Sequence, residues 1–414
     1  MFGQRLAIPP AGSNPRYRYD LLCPLTVVFR YFSAHQVRSP SVLFISRSLP
    51  VSSFRFVFIA ALVSACGCNG PSAPKVVVPQ VTVREAAAIK TLQEAGAAIK
   101  TDEGGSAMDV SLLKLTPSND LFDKLSELKS LRALNLADSS FSDDALPALD
   151  KVSLTLANLD LRGCSLSDKA TSSIARFTSL KALRFSGKNG KTSISDDGLK
   201  ALTACKSLKV LALDDLWIGT PGIEALASLA ELEELYLAGT VVDDDAAKFI
   251  AAFPKLKKLR LARTQVSDAA LETLSARTSL EELDLSENSL ITNAGMAHLA
   301  KLTSMKKLNL WRVQISDEGA LLLASLTKML WLNLDNSKLG DGGLPLLKDM
   351  KALTFLHIGS TQVTEAGASA LFHLTALKDL KLTRTAMGAS DAAVAELKAH
   401  LPATTIQTEY VEAE

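Results

Sequence analysis

The chain is poor in aromatic residues, in histidine and in long apolar runs, and each shortage removes a class of function. Aromatics are 6% of 414 residues, so any large core must be built from Leu, Ile, Val and Ala. The five histidines, His35, His298, His357, His373 and His400, are scattered along the chain. No Gly-x-Ser-x-Gly, Gly-x-x-x-x-Gly-Lys-Ser/Thr or His-Glu-x-x-His occurs, so the common hydrolase, phosphate-loop and zincin chemistries lack their residues. Cys23, Cys66, Cys68, Cys164 and Cys205 include no Cys-x-x-Cys. Cys164 and Cys205, 41 residues apart, read as small buried apolar side chains, and no metal or cofactor is expected. An excess of one charge is also missing. The formal +1 conceals seven Arg and a single acid, Asp20, in residues 1–65, which leaves 38 basic against 43 acidic residues beyond them. With no Lys/Arg stripe, nucleic acid is not an expected partner.

The longest apolar run, Phe56 to Val63 after Arg55, has eight residues, too few to cross a bilayer core of about 30 Å as a helix. With the small residues that follow it reads as the core of a signal peptide, residues 54–65. The ending Val63-Ser64-Ala65-Cys66 resembles the bacterial lipobox. That resemblance implies a lipidated Cys66 as the mature N-terminus and a membrane anchor at the cell envelope; an ordinary secretory signal is the alternative. Gly67 rather than Asp follows the cysteine, which by the same resemblance favours the outer membrane. Residues 1–53 show no helical or strand period and read as a disordered or spurious extension, with the true start near Leu49 or Val51. Residues 66–81, with their Pro, Gly and Ser, form a tether. Residues 82–107 form an N-terminal cap: Thr82 and Glu85 make a capping box, Gly96 ends the helix, and a short strand from Ala97 turns at Gly104-Gly105.

What the chain has in abundance is one phrase, Leu-x-x-Leu-x-Leu. Leu232, Leu256 and Leu280 begin successive copies, each 24 residues after the last. Counting phrase starts from Val110 gives about eleven regular copies to Leu377, after a first interval of 21 residues and with one of 28. Alternating leucines make a strand with one buried face, and stacked copies make a parallel sheet. Ser-Asp pairs such as Ser142-Asp143, Ser167-Asp168, Ser195-Asp196, Ser267-Asp268 and Ser316-Asp317 are expected to cap the return helices. The pattern over 108–400 resembles the leucine-rich repeat family in its roughly 24-residue, Gly-Ala-Leu-type form. The resemblance implies an α/β solenoid, with a curved parallel sheet inside and helices outside, closed by residues 401–414 as a C-terminal cap.

The slot that the family fills with Asn holds Ser139, Cys164, Thr240, Thr264, Asn288, Ser337, Thr361 and Thr385. Lys188, Leu216 and Val313 are expected to loosen the turn ladder at their repeats. On the inner face, Glu233-Lys257-Glu281-Lys306 and Glu234-Lys258-Glu282-Lys307 are expected to form columns of alternating charge that satisfy themselves. Beyond them stand Trp331 and Phe355 in one column, His357 two residues on, and Trp311, Arg312, Asn309, Asn333 and Asp335 along neighbouring strands. This is either a partner-binding patch or a set of rings packed on one another. The leading expectation is a non-catalytic module that holds a protein partner on its concave face. The alternatives are a substrate-recognition subunit resembling the F-box proteins of ubiquitin ligases, and a binder of cell-wall glycan.

Overall fold

The protein is represented by a computed structural model, of which residues 81–409 are described. Cys66, the apolar run before it and residues 1–53 lie outside the described residues. The cap begins with helix α1 (Val83–Glu94), whose first turn is held by Thr82 Oγ1 accepting the Glu85 amide at 3.2 Å. The other half of the expected capping box is absent. The buried Glu85 carboxylate accepts the Ala107 amide at 3.3 Å instead, and so ties α1 to the sheet. Gly96 ends the helix at φ +92°, in the left-handed region that glycine adopts at little cost. Strand β1 (Ala98–Thr101) then pairs antiparallel with β2 (Ala107–Ser111) around a turn in which Asp102 Oδ1 accepts the Gly104 and Ser106 amides.

From β2 onward every pairing is parallel. The strands run in sequence order: β3 (Ala133–Asn135), β4 (Asn158–Asp160), β5 (Ala182–Ser186), β6 (Val210–Asp214), β7 (Glu234–Tyr236) and β8 (Lys258–Arg260). They continue through β9 (Glu282–Asp284), β10 (Lys307–Asn309), β11 (Trp331–Asn333), β12 (Phe355–His357), β13 (Asp379–Lys381) and β14 (Thr405–Gln407). The register sets Val110 opposite Leu134, the second leucine of its phrase. The first phrase therefore begins at Ala107, not Val110, and the apparent 21-residue interval is a regular 24. Alanine in the first leucine slot hid the frame.

The strand leucine in register with Leu134, repeated through to Leu380, is at most 3% exposed at every copy. Burying one such side chain is worth about 1.5–3 kcal/mol relative to leaving it exposed, and the stacked leucines form one continuous core. The returning segments are too short to stand alone and are stabilised by that core. Two of them, Asp143–Val152 and Asp341–Asp349, wind as 3-10 turns around Pro147 and Pro345, which lack the N–H an α-helical ladder needs.

The acidic residues at the start of these returns do not chiefly cap their own helices. Only Ser167 and Ser267 of the expected Ser-Asp pairs accept a first-turn amide from their own helix. The carboxylates instead reach the next repeat. Asp143 takes both the amide and hydroxyl of Ser167, and Asp168 those of Ser195. Asp244 does so for Ser267, Asp268 for Thr292 and Asp341 for Thr364. Close behind lies a residue that must be small: a Cβ on Gly198 would fall 2.1 Å from Asp168 Oδ1, and one on Gly295 2.2 Å from Asp268 Oδ1.

The turn slot also departs from expectation. In the 28-residue repeat it is filled by Thr192, whose hydroxyl lies 2.7 Å from the Cys164 carbonyl, and not by Lys188, which sits in the exposed insertion. Asn288 bridges two repeats, donating to the Leu261 and Leu285 carbonyls at 2.7 and 3.0 Å. Ser139 and Cys164 reach back to Leu112 and Leu136. Thr240, Thr361 and Thr385 close only their own turns, because the shorter hydroxyl donates a single bond. Leu216 and Val313 fill the slot as buried apolar groups.

Candidate binding face

Side chains flanking each buried strand leucine point to the inner face, and the parallel register lines them up in columns. The charged half spans β7–β9. Lys258 lies 3.2 Å from Glu234 and 3.3 Å from Glu282, its two neighbours in the column. Glu233 is held below the usual carboxylate range chiefly by its hydrogen bond from Lys209 at 2.6 Å, and Glu281 by that from Lys306 at 2.7 Å. Two further ladders, unforeseen from the sequence, join them. Arg260 bridges Asp214 and Asp284, each at 3.2 Å, and Arg263 and Arg312 converge on Glu287 at 3.8 and 3.0 Å. Burial raises the Asp214 carboxyl despite the arginine.

The aromatic half begins at β10. Trp331 and Phe355 sit side by side on β11 and β12, half-buried, with ring centroids 4.8 Å apart and planes 6° from parallel. Lys307 Nζ lies 4.9 Å over the Trp331 ring and Lys381 Nζ 5.7 Å over Phe355. Four consecutive strands thus contribute one stack, ammonium–indole–phenyl–ammonium. His357 meets Phe355 edge-on, and its Nε2 stands 3.8 Å from Asp335 Oδ1, beyond hydrogen-bond range. Neither of those buried atoms has another partner, and burial keeps the imidazole below its ordinary value. Asn309 and Asn333 turn their carbonyls to the amides of Trp311 and Asp335 at 3.2 and 2.9 Å. Trp311 stands in the third column, capped by its neighbour Arg312 at 4.5 Å. Arg312 itself has φ +58°. A groove of about 370 Å³ runs beside the stack, lined by Tyr236, Lys258, Arg260, Asn309 and Trp331 among others.

A family profile described as "Leucine Rich repeat" matches residues 277–300. The fold is a leucine-rich repeat solenoid. An internalin of Listeria monocytogenes superposes with a TM-score of 0.56 at 19% identity, covering 82% of this chain and 100% of its own. Internalin C2 of the same organism gives 0.42 at 25% identity over 55% of this chain and 92% of that one. The plant peptide hormone receptor RGFR1, solved in complex with RGF2, gives 0.41 at 15% identity over 75% of this chain and 59% of that one. No curated protein matches the chain.

The leucine-rich repeat array displays one aromatic that the sequence reading passed over. Trp217 is 79% exposed, the most open aromatic among the described residues, on the turn leaving β6. The signal was present: Leu216 and Ile218 on either side are buried, so alternation sends Trp217 outward. Cys164 and Cys205 are fully buried, which pushes their thiols up to about 12 and about 11 and leaves them unreactive. Among the described residues no cluster of His, Cys, Asp and Glu could hold a metal, and no helix is long and apolar enough to cross a membrane.

Proposed function

We propose that the solenoid is a non-catalytic interaction module that holds a protein partner on the inner face over β10–β13, carried at the cell envelope by a lipid on Cys66. The observation that supports this most is the Trp331–Phe355 stack, placed on the open sheet where its rings add nothing to the leucine core. Aromatic anchors beside basic side chains are the residue types that dominate binding energy at interfaces. Glycan binding fits less well, because a sugar ring needs an open aromatic face. Here each ring covers one face of the other, and Lys307 and Lys381 lie over the outer faces.

The test is photocrosslinking from an amino acid placed at Leu330, which is exposed on the rim of the stack. A crosslinked protein is expected from envelope preparations and should vanish in Trp331→Ala/Phe355→Ala, whose circular dichroism stays that of the parent. A crosslink that survives the double substitution overturns the assignment of the face. Cys66→Ala should release the protein from the membrane fraction; unchanged partitioning overturns the anchor.

A further inference from the structure

We infer that the partner presents an acidic, extended segment across strands β10–β13, bound by charge and by donor hydrogen bonds rather than by stacking. This deepens the reading of the inner face as a protein-binding surface and rests on it. On and beside these four strands the face carries six basic residues, Lys306, Lys307, Arg312, Lys378, Lys381 and Arg384, against two acidic ones, Asp335 and Asp379. Lys306 and Arg312 pair with Glu281 and Glu287 of the ladder, and the other four still outnumber the acids by two. The neighbouring strands β7–β9 carry the reverse balance: four basic residues against six acidic ones, tied into the ladders described above. The positive zone therefore begins where the self-satisfied ladder ends.

Lys307 shows the change of role. Its register partner on β9 is Glu282, yet Glu282 is paired with Lys258, and Lys307 lies over Trp331 instead. Lys381 likewise lies over Phe355. Among the described residues neither makes an ion pair, so both ammonium groups keep their donors for a ligand. Asn309 and Asn333 point the same way. Their carbonyls are used by backbone amides, which leaves each Nδ2 as the outward group, a donor. The rings add their edges, the positive part of an aromatic quadrupole, because their faces are covered. Ammonium groups, amide donors and ring edges all ask for one complement: carboxylates and backbone carbonyls. Three strand spacings of about 4.8 Å place the outer two ammonium-bearing strands about 14 Å apart, the reach of four or five extended residues at about 3.3 Å each. A segment with acids at each end of such a stretch meets Lys307 and Lys381 together while its carbonyls pass over Asn309 and Asn333.

The experiment uses the full chain and fluorescence anisotropy of a labelled peptide of about twelve residues in which Glu alternates with Ser and Leu, with its Gln counterpart as control. The Glu peptide is expected to bind, more weakly as salt is raised. The Gln peptide should bind about tenfold more weakly, and Lys307→Gln/Lys381→Gln should weaken the Glu peptide by a similar factor. Equal binding of the two peptides, no binding of either up to about 1 mM, or indifference to the double substitution overturns the inference. Tighter binding of an oligogalacturonate than of the Glu peptide overturns it in favour of a carboxylated glycan. The crosslinking assay separates this inference from the reading beneath it. A crosslink abolished by Trp331→Ala/Phe355→Ala but untouched by the lysine substitutions sinks only the acidic partner. One that survives both sets sinks the interaction face itself.

Discussion

Asp244 binds Ser267 across the boundary between two repeats, one carboxylate oxygen 2.7 Å from the serine amide and the other 2.5 Å from its hydroxyl. The same oxygen that takes the Ser267 amide lies 3.2 Å from the Ala270 amide in the first turn of the next helix, where negative charge is favoured. In a solenoid each repeat touches only its neighbours, so such a link is part of an interface free energy rather than of one repeat's own stability. Charge-assisted bonds of this kind are individually worth about 1.5–3 kcal/mol, less where water reaches them. Asp244→Ala is expected to cost about 2 kcal/mol and to broaden or split the urea transition. Asp244→Asn should cost under about 1 kcal/mol, because one repeat already uses the amide. There Asn293 accepts the Ser316 amide at 2.9 Å and donates to its hydroxyl at 2.7 Å. A loss under about 0.5 kcal/mol in Asp244→Ala would show that the link carries no weight.

The carboxylate also explains the small residue in the return helix, and a double-mutant cycle tests that explanation. In an open helix Gly→Ala stabilises by about 0.5–1 kcal/mol. At Gly198 the new Cβ would meet Asp168, so Gly198→Ala is expected to destabilise by about 1–3 kcal/mol. In an Asp168→Ala background only the Asp168 Cβ, 3.2 Å away, still faces the new methyl, and the same substitution should become nearly neutral. Additive effects would mean that the glycine answers to something other than the carboxylate.

Much of this architecture was legible because its carriers repeat. The leucines gave the strands, and the columns from Glu234 to Lys307 pair residue for residue as the period requires. What escaped has physical reasons. Ala107 hid the first phrase because one methyl fills a slot read as leucine. Thr192 fills its slot four residues later than the period predicts because an insertion precedes it, and counting residues cannot see where a loop bulges. The Asp residues stand where either their own helix or the next repeat could use them, and spacing alone does not say which. Trp331 and Phe355 share a column as the period requires, but the two lysines over their rings do not follow from it, since column order pairs Lys307 with Glu282.

His357 gives the inner face a pH dependence. Burial lowers its pKa, Asp335 opposes that shift and Lys381 adds to it. A depressed histidine is protonated first in the unfolded chain, so the stability from keeping it neutral is complete above the ordinary value near 6.5. That stability is lost as pH falls from there through the folded pKa. The urea midpoint of the parent is expected to fall between about pH 7.5 and about pH 5.5 by more than that of His357→Gln. Identical pH profiles for the two proteins would remove His357 as the cause.

The turn after each strand from β2 to β13 passes through a left-handed residue, and the array fills it unevenly. Gly163 and Gly239 sit there at φ +74° and +70°, whereas Ser360 holds φ +47°. The conformation at Ser360 is imposed by the ladder, since its amide donates to the Thr383 carbonyl at 2.7 Å. A side chain in this region costs about 1–2 kcal/mol, partly offset by the greater freedom glycine has in the unfolded chain. Ser360→Gly is therefore expected to stabilise by about 1 kcal/mol, a rise of about 2 °C in melting temperature for an array of this size. The reciprocal change should cost more than this gains. A Cβ at Gly239 would fall 2.5 Å from Asp215 Oδ1, a carboxylate that also pairs with Arg263 at 3.0 Å, so Gly239→Ser adds a collision to the backbone strain. Scanning calorimetry of the two variants beside the parent decides it, and a lower melting temperature for Ser360→Gly would show that the serine is held there by something other than backbone geometry.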